Sequence, residues 1–289
     1  MRLIATDECR VDHYLQNLVA AVWPGTANTG SATSGGNWDT EGVAVTVDPL
    51  APLLELPGVS AAVAQARDAV AQVHRHPTNR RGWPASAAEA SVRAARASAA
   101  LDGARADLPA DGMVSEPVLA GALRVAEEMG RLLPAWRSAP LQALARLHVL
   151  AAADLVTSSE DLGRPRSVPG LASRLDALSH LVGGGSTVAA PVLVAVVHGE
   201  LLALQPFGSA DGVVARAAAR LTALASGLDP KGLAIPEVGH FRRAVEYRAA
   251  AADFASGTRE GLTRWLLHCC WAWELGAKEA DTIATAASG

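Results

Sequence analysis

The chain has 289 residues, a formal net charge of −4 and a pI near 6.1, and half of its residues are hydrophobic. This balance argues against a nucleic-acid-binding protein, which usually presents a basic surface. Aromatic residues make up only 4%, and the many alanines, leucines and valines favour packed helices over a β-sandwich. The three cysteines, Cys9, Cys269 and Cys270, form no CxxC pair, which favours reduced thiols and a cytoplasmic location.

Residues 1–50 are predicted to be a flexible N-terminal extension. The stretch GTANTGSATSGGNWDTEG is rich in Gly, Ser, Thr and Asn and has no helical period. The residues EGVAVTVDPL at its end predict a short edge strand. The first residues lack the basic region that begins a signal peptide, so we expect no such leader.

From Leu56 onward the pattern is helical almost throughout, and we predict an all-α domain of about eight or nine helices over residues 55–285. The predicted helices cover, in chain order, residues 58–75, 84–102, 116–133, 140–151, 169–182, 187–204, 211–226, 236–255 and 258–284. The long apolar segment 187–204 contains Pro191, His198 and Glu200, which favours a buried core helix over a membrane span.

The most informative stretch is QPFGSADGVVAR, residues 205–216, which joins two of these predicted helices. A short polar loop that leads into a helix N-terminus suits an anion, because unpaired backbone N–H groups and the helix dipole favour phosphate. Gly208 and Gly212 permit a ligand to approach the backbone closely. The residues also leave open a purely structural helix–helix corner, in which Ser209 or Asp211 caps the second helix.

This stretch resembles the signature loop of the Fic (Fido) family, whose motif is His-Pro-Phe-x-Asp/Glu-Gly-Asn-Gly-Arg-x-x-Arg. His198, seven residues before Gln205, and the helix LARLHVLAA at 144–152 also resemble the family, as does the C-terminal run from Glu246 to Trp273. The resemblance covers about residues 56–280 and implies a Fic-like helical bundle. In that family the loop holds the phosphates of a nucleotide, usually ATP, while AMP is transferred to a protein hydroxyl.

Several positions that carry the family's chemistry are changed in this chain. The general base, a His in the family, is Gln205, and an amide has no useful basicity. The acid that binds Mg²⁺ is Ser209, a weak metal ligand, and Asp211 replaces the motif Asn. Val213 replaces the first motif Arg, whereas Arg216 matches the second.

The resemblance therefore implies a degenerate Fic protein, weak or inactive in AMP transfer. It implies that a nucleotide or another anion, or a partner protein, binds at the loop through Gly208, Ser209, Gly212 and Arg216. ATP or another nucleotide is the ligand that the resemblance implies, and the loss of the acid argues against Mg²⁺. No other spacing in the chain predicts a metal site.

Two alternatives remain open at this point. The first is an active Fic enzyme with altered transfer chemistry, in which His198 or Asp211 takes the place of the lost base at Gln205. The second is a structural or regulatory interaction protein, for which the Trp-rich C-terminal helix offers either core packing or a homodimer surface.

Residues 84–103 contain a second similarity to the family. Many Fic proteins carry an inhibitory helix, Ser/Thr-x-x-x-Glu-Gly/Asn, whose Glu pairs with a motif Arg and blocks productive ATP binding, and toxin–antitoxin-like regulation is the corresponding expectation. Ser98, Asp102 and Gly103 occupy that frame, and Arg216 is the candidate partner of Asp102. The residues alone equally allow an alanine-rich packing helix that ends at a glycine.

The segment GRPR at 163–166 is a small basic loop. It is interpreted either as a solvated loop or as a segment whose Arg164 and Arg166 contact a phosphate or an acidic partner.

Overall fold

The structure, a computed structural model, describes residues 48–109 and 112–287, so the predicted extension and edge strand lie outside the described residues except for positions 48–50. Over these residues the chain is helical and contains no strand, which confirms the all-α prediction. We number the helices α1 (Val59–Arg75), α2 (Pro77–Arg81), α3 (Trp83–Leu101), α4 (Pro117–Ser138), α5 (Pro140–Ala152), α6 (Leu171–His180), α7 (Ala190–Leu204), α8 (Asp211–Ala225), α9 (Pro236–Arg242), α10 (Ala244–Ala255) and α11 (Arg259–Ala286).

Three details of the helix predictions are corrected. The segment predicted as one helix over 236–255 forms two, because the backbone of Arg243 leaves the helical region at φ −126° and ψ 51°. Helix α4 continues past Pro134 to Ser138, since Trp136 is completely buried and anchors the last turn. Glu116, the first residue of the predicted helix, is instead its N-terminal cap, because its carboxylate accepts the Leu119 N–H.

Helix α7 lies at the centre of the bundle and packs against α8, α10 and α11. Twelve of its fifteen residues are buried, as expected for a helix that is apolar on every face. Gly199 permits this packing, because a Cβ there would lie 2.7 Å from the Phe254 ring and from Nε1 of Trp265. None of the helices in the described ranges has the length and hydropathy that a membrane span requires.

Helix α11 is the longest element and packs along α1, α9 and α10. The Thr258 hydroxyl accepts the Gly261 N–H and so caps its first turn. Trp265 and Trp273 are at most 3% exposed and belong to the core, which is the first of the two alternatives for this helix.

The core extends to the start of the described chain. Leu50 and Leu53, in and just before the 3-10 turn Ala51–Glu55, are buried with the hydrophobic core. The Asp48 carboxylate accepts hydrogen bonds from the hydroxyls of Ser186 and Thr187, which joins this segment to the residues before α7.

Helices α7 and α8 form a hairpin that places the signature loop, residues 205–210, between them. Helix α8 also contacts α3, α4 and α5. The end of α3, helix α5 and the segment 163–166 therefore surround the loop.

Candidate functional site

The signature loop reverses the chain through three residues with positive φ. Gly208 has φ 76°, and Gln205 and Ala210 adopt φ 44° and φ 52° although they carry side chains. A left-handed conformation costs a non-glycine residue roughly 1–2 kcal/mol, and the Fic motif has Gly where this chain has Ala210. The loop thus holds an alanine in a backbone conformation that favours glycine.

Asp211 closes the loop from inside. Its Oδ1 accepts the Phe207 N–H at 2.9 Å and its Oδ2 accepts the Gly208 N–H at 2.7 Å. Burial raises the pKa of this carboxyl, while the same two hydrogen bonds act in the opposite direction. Two backbone donors that suit a bound anion are therefore already paired with a carboxylate of the protein. Asp211 stands at the first position of α8, and its predecessor Ala210 provides no side-chain cap.

His148 on α5 holds the middle of the loop. Its Nδ1 accepts the Gly163 N–H at 2.9 Å, so the ring proton is on Nε2, which donates to the Ser209 hydroxyl at 3.0 Å. The ring stacks on Phe207 with centroids 4.2 Å apart, and burial lowers the pKa of His148. His148 enters the sequence-based predictions only within the helix 144–152, and this contact was missed because no spacing links α5 to the loop.

Arg166 covers the outer side of the loop. Its guanidinium donates to the carbonyls of Leu204 and Gln205 at 3.0 and 2.9 Å, and its backbone N–H donates to Pro206 O at 2.7 Å. Cations at a helix C-terminus complement the helix dipole, and these bonds pair the last carbonyls of α7. Arg164, by contrast, forms an exposed pair with Glu160. Of the two arginines in the basic segment, Arg166 therefore stabilises the signature loop.

Arg216 lies beneath the loop with a side chain that is only 3% exposed. Its Nε donates to the Ser98 hydroxyl at 2.7 Å, and one terminal nitrogen donates to the Ser98 carbonyl at 3.0 Å and pairs with Asp102 at 2.8 Å. The other terminal nitrogen donates to the Tyr247 hydroxyl at 3.3 Å. The structure therefore brings together Ser98, Asp102 and Arg216, the three side chains that the inhibitory-helix similarity relates.

Asp102 also lies against the start of α8. A Cβ on Gly212 would overlap the Asp102 carboxylate, so glycine at this position is required for the contact. Gly103, at φ 86°, turns the chain away after α3, and nothing lies within 4 Å of where its Cβ would be. Gly103 thus forms the turn that ends α3, and the contacts with Arg216 are made by Ser98 and Asp102.

His198 lies behind Arg216 in the interior. Its Nε2 is 2.9 Å from the Tyr247 hydroxyl, which accepts from Arg216 and can donate its own proton to this nitrogen. Burial, then the positive charge of Arg216, holds the pKa of His198 well below its usual range, and burial raises that of Tyr247 to about 12. A protein hydroxyl cannot approach a ring that is 3% exposed and already hydrogen-bonded.

Glu200, two residues further along α7, is also buried. Its carboxylate pairs with Arg174 at 2.7 Å, and burial raises its pKa. A buried carboxylate needs such a partner, so this pair belongs to the core and not to the loop.

The space beside Arg216 is small. A cavity of about 30 Å³, lined by Ser98, Val213 and Arg216 among others, lies between α3, α4 and α8. Pockets for small organic ligands measure about 300–1,000 Å³, so this cavity has room for a water molecule and not for a nucleotide. Across the described residues, no group of three or more His, Cys, Asp or Glu side chains is placed to hold a metal ion.

The fold is similar to the crystal structure of a Fic family protein from Desulfovibrio desulfuricans G20, with a TM-score of 0.57 and 19% sequence identity. The match covers 78% of this chain and 74% of that one, and it establishes a Fic-like fold. The sequence matches no protein-family model and has no significant match among curated proteins.

Proposed function

We propose that this chain is a degenerate Fic protein that does not transfer AMP by the family's base mechanism. On this proposal the loop at 205–216 binds a phosphate-containing ligand, such as a nucleotide, only when Asp102 leaves Arg216. The observation that carries the proposal is the pairing of Arg216 with Asp102 and Ser98, because it occupies the one motif arginine that the chain retains.

The lost base supports the inactive part of the proposal. Gln205 cannot accept a proton, and Ser209 is engaged with His148 in place of a metal. The two substitute bases are poorly suited, since both oxygens of Asp211 accept backbone N–H groups and His198 is buried against Tyr247. These contacts argue against either residue as the base of an altered transfer chemistry.

The binding part of the proposal follows from the partial exposure of Asp102. Its side chain is 28% exposed whereas that of Arg216 is 3% exposed, so Asp102 can rotate towards solvent while Arg216 stays in place. A phosphate that replaces Asp102 would meet Arg216 and the N-terminus of α8, both favourable for an anion. With no acid at position 209, we expect binding that does not depend on Mg²⁺.

Calorimetry with ATP, ADP and AMP, with and without Mg²⁺, tests this proposal on the full chain. Asp102→Asn keeps the side-chain size and removes the charge, and we expect it to bind nucleotide at least about tenfold more tightly than the unchanged protein, which corresponds to about 1.4 kcal/mol. Asp107→Asn removes an exposed carboxylate further along the same segment and serves as the matched control.

Equal affinities of the unchanged protein and Asp102→Asn would contradict the inhibitory role of Asp102. Failure of both to bind at millimolar nucleotide would favour the second candidate, a structural or regulatory interaction protein. The specific observation for that candidate is that Asp211, His148 and Arg166 already pair the polar groups of the loop with the protein itself.

A further inference from the structure

A second cavity lies at the opposite end of the α7–α8 hairpin, and we call it the end cavity. Its lining comes from the end of α4, the segment 181–190 and the end of α8 with the residues up to 228. Its volume is about 640 Å³, within the range of small-molecule pockets. The fifteen residues of α7 separate it from the signature loop by roughly 20 Å at 1.5 Å per residue.

Trp136 in this lining has a buried indole N–H without a hydrogen-bond partner among the described residues. The side chain is 0% exposed, so solvent does not reach this donor either. An unpaired buried donor costs roughly 1–3 kcal/mol, and native proteins rarely keep one without a reason. Because solvent does not reach this N–H, a ligand in the cavity does not reach it either, and Trp136 serves as a neighbouring reporter of binding there.

The charges around the end cavity favour an anion. Arg67 and Arg137 line it, both are exposed, and neither forms an ion pair within the described ranges. Helix α7 begins at the cavity, and Ala189, the capping position just before it, provides no side-chain cap, so the positive end of the helix dipole adds to these charges. The described lining contains no carboxylate, and the nearby Asp48 is already bonded to Ser186 and Thr187.

The rest of the lining mixes apolar side chains with the hydroxyl side chains of two serines and two threonines. Leu181, Val188, Leu193 and Leu228 contribute hydrocarbon surface beside the polar groups. A site with a few convergent polar groups on an apolar wall fits an organic molecule and not a bare inorganic ion.

We propose that the end cavity binds a small organic anion, a phosphate or carboxylate on an apolar body, with Arg67 and Arg137 on the charge. This site is independent of the function proposed for the signature loop, because the two share no residue. The two arginines are the residues that decide binding.

The proposal is tested on the ¹⁵N-labelled full chain, by following indole N–H signals in NMR spectra. Trp136→Phe identifies the Trp136 signal, since it removes the N–H and keeps an aromatic ring. Phenyl phosphate and benzoate are the probes, inorganic phosphate lacks the apolar body, and benzyl alcohol lacks the charge. We expect phenyl phosphate or benzoate to shift the Trp136 signal with saturation, and inorganic phosphate and benzyl alcohol to bind at least tenfold more weakly.

Arg67→Gln with Arg137→Gln should weaken the better probe at least tenfold, and both positions are exposed, so the variant should fold. Arg146→Gln, an exposed arginine on α5, is the matched control and should leave binding unchanged. Asp102→Asn should also leave it unchanged, which separates this site from the signature loop. No shift of the Trp136 signal at millimolar probe, or a shift that persists without both arginines, would overturn the proposal.

Discussion

The two ends of the α7–α8 hairpin differ in how their polar groups are paired. At the signature loop, Asp211, Arg166 and Arg216 all bind groups of the protein itself. At the end cavity, the Trp136 N–H and two arginines have no protein partner among the described residues. A ligand at the loop must displace an internal contact, whereas a ligand at the end cavity displaces none. The segment that resembles a binding motif is thus not the segment whose polar groups are left unpaired.

The largest effect that we expect is a loss of stability as the pH falls below neutral. Burial holds the pKa of His198 and His240 well below the usual value of about 6.5, and lowers that of His268 to about 4. The unfolded chain therefore takes up protons first, and the free energy of unfolding should fall as pH drops below about 6.5. Each such histidine contributes up to ~1.4 kcal/mol per pH unit, or about 2 kcal/mol by pH 5.

Urea denaturation between pH 8 and pH 5 measures this slope. The raised pKa values of Asp211 and Glu200 act in the opposite direction, because those carboxyls take up protons more readily in the folded state. His240→Asn, which cannot titrate, should reduce the slope. If the free energy of unfolding stays level from pH 7 to pH 5, the buried histidines take up protons in the folded protein, which would contradict this prediction.

The next largest effect is expected for the buried arginine. Arg216→Ala leaves the Ser98 carbonyl and Asp102 without their donor, and we expect the free energy of unfolding to fall by about 3 kcal/mol. Arg137→Ala at the other end should change it by less than about 0.5 kcal/mol. Urea titration of both variants compares the two ends of the hairpin directly. Equal losses of unfolding free energy would contradict the difference in pairing between them.

Gly212→Ala tests how tightly Asp102 is held. The added methyl overlaps the Asp102 carboxylate, so Asp102 must leave the start of α8. We expect a net loss of about 1 kcal/mol from overpacking, partly offset by the better helix propensity of alanine. If Asp102 is inhibitory, the same variant should bind nucleotide more tightly, as Asp102→Asn does, and calorimetry beside urea titration distinguishes a local shift from general damage.

The smallest expected effect is a gain. Ala210→Gly relieves a left-handed alanine at φ 52°, and the free energy of unfolding should rise by about 0.5–1 kcal/mol. Ala217→Gly, inside α8, should instead lower it by about 1 kcal/mol. A thermal melt resolves the two signs, and a loss at position 210 would mean that the Ala210 methyl contributes packing that outweighs the strain.

The predictions that succeeded from sequence rest on local patterns. Helix α7 was recognisable because an apolar run with Pro191 near its start has the composition of a buried helix, and α3 because Gly103 follows its last turn. The break at Arg243 and the continuation past Pro134 were missed. The first depends on backbone angles that no residue type requires, and the second depends on the burial of Trp136 by distant helices.

For the candidate site, the Ser98–Asp102–Arg216 contact was expected from the family resemblance alone. No periodicity or spacing relates residues that are more than 100 positions apart. The contacts of His148 with Ser209 and of Arg166 with Gln205 join residues 61 and 39 positions apart, which is also too far for a spacing in the sequence to indicate. Each joins elements whose proximity is fixed only when the helices pack.

The sequence by itself determined that this chain is helical, where most helices begin and end, and that residues 205–216 contain no histidine, since these properties depend on residue type and short-range order. Only the tertiary structure decided that Asp211 pairs the loop's own donors, that Asp102 reaches Arg216, and that Trp136 faces a cavity without a hydrogen-bond partner among the described residues. The hydrogen bonds and burial of side chains depend on which elements, distant in sequence, are in contact. Only the packing of the helices determines those contacts.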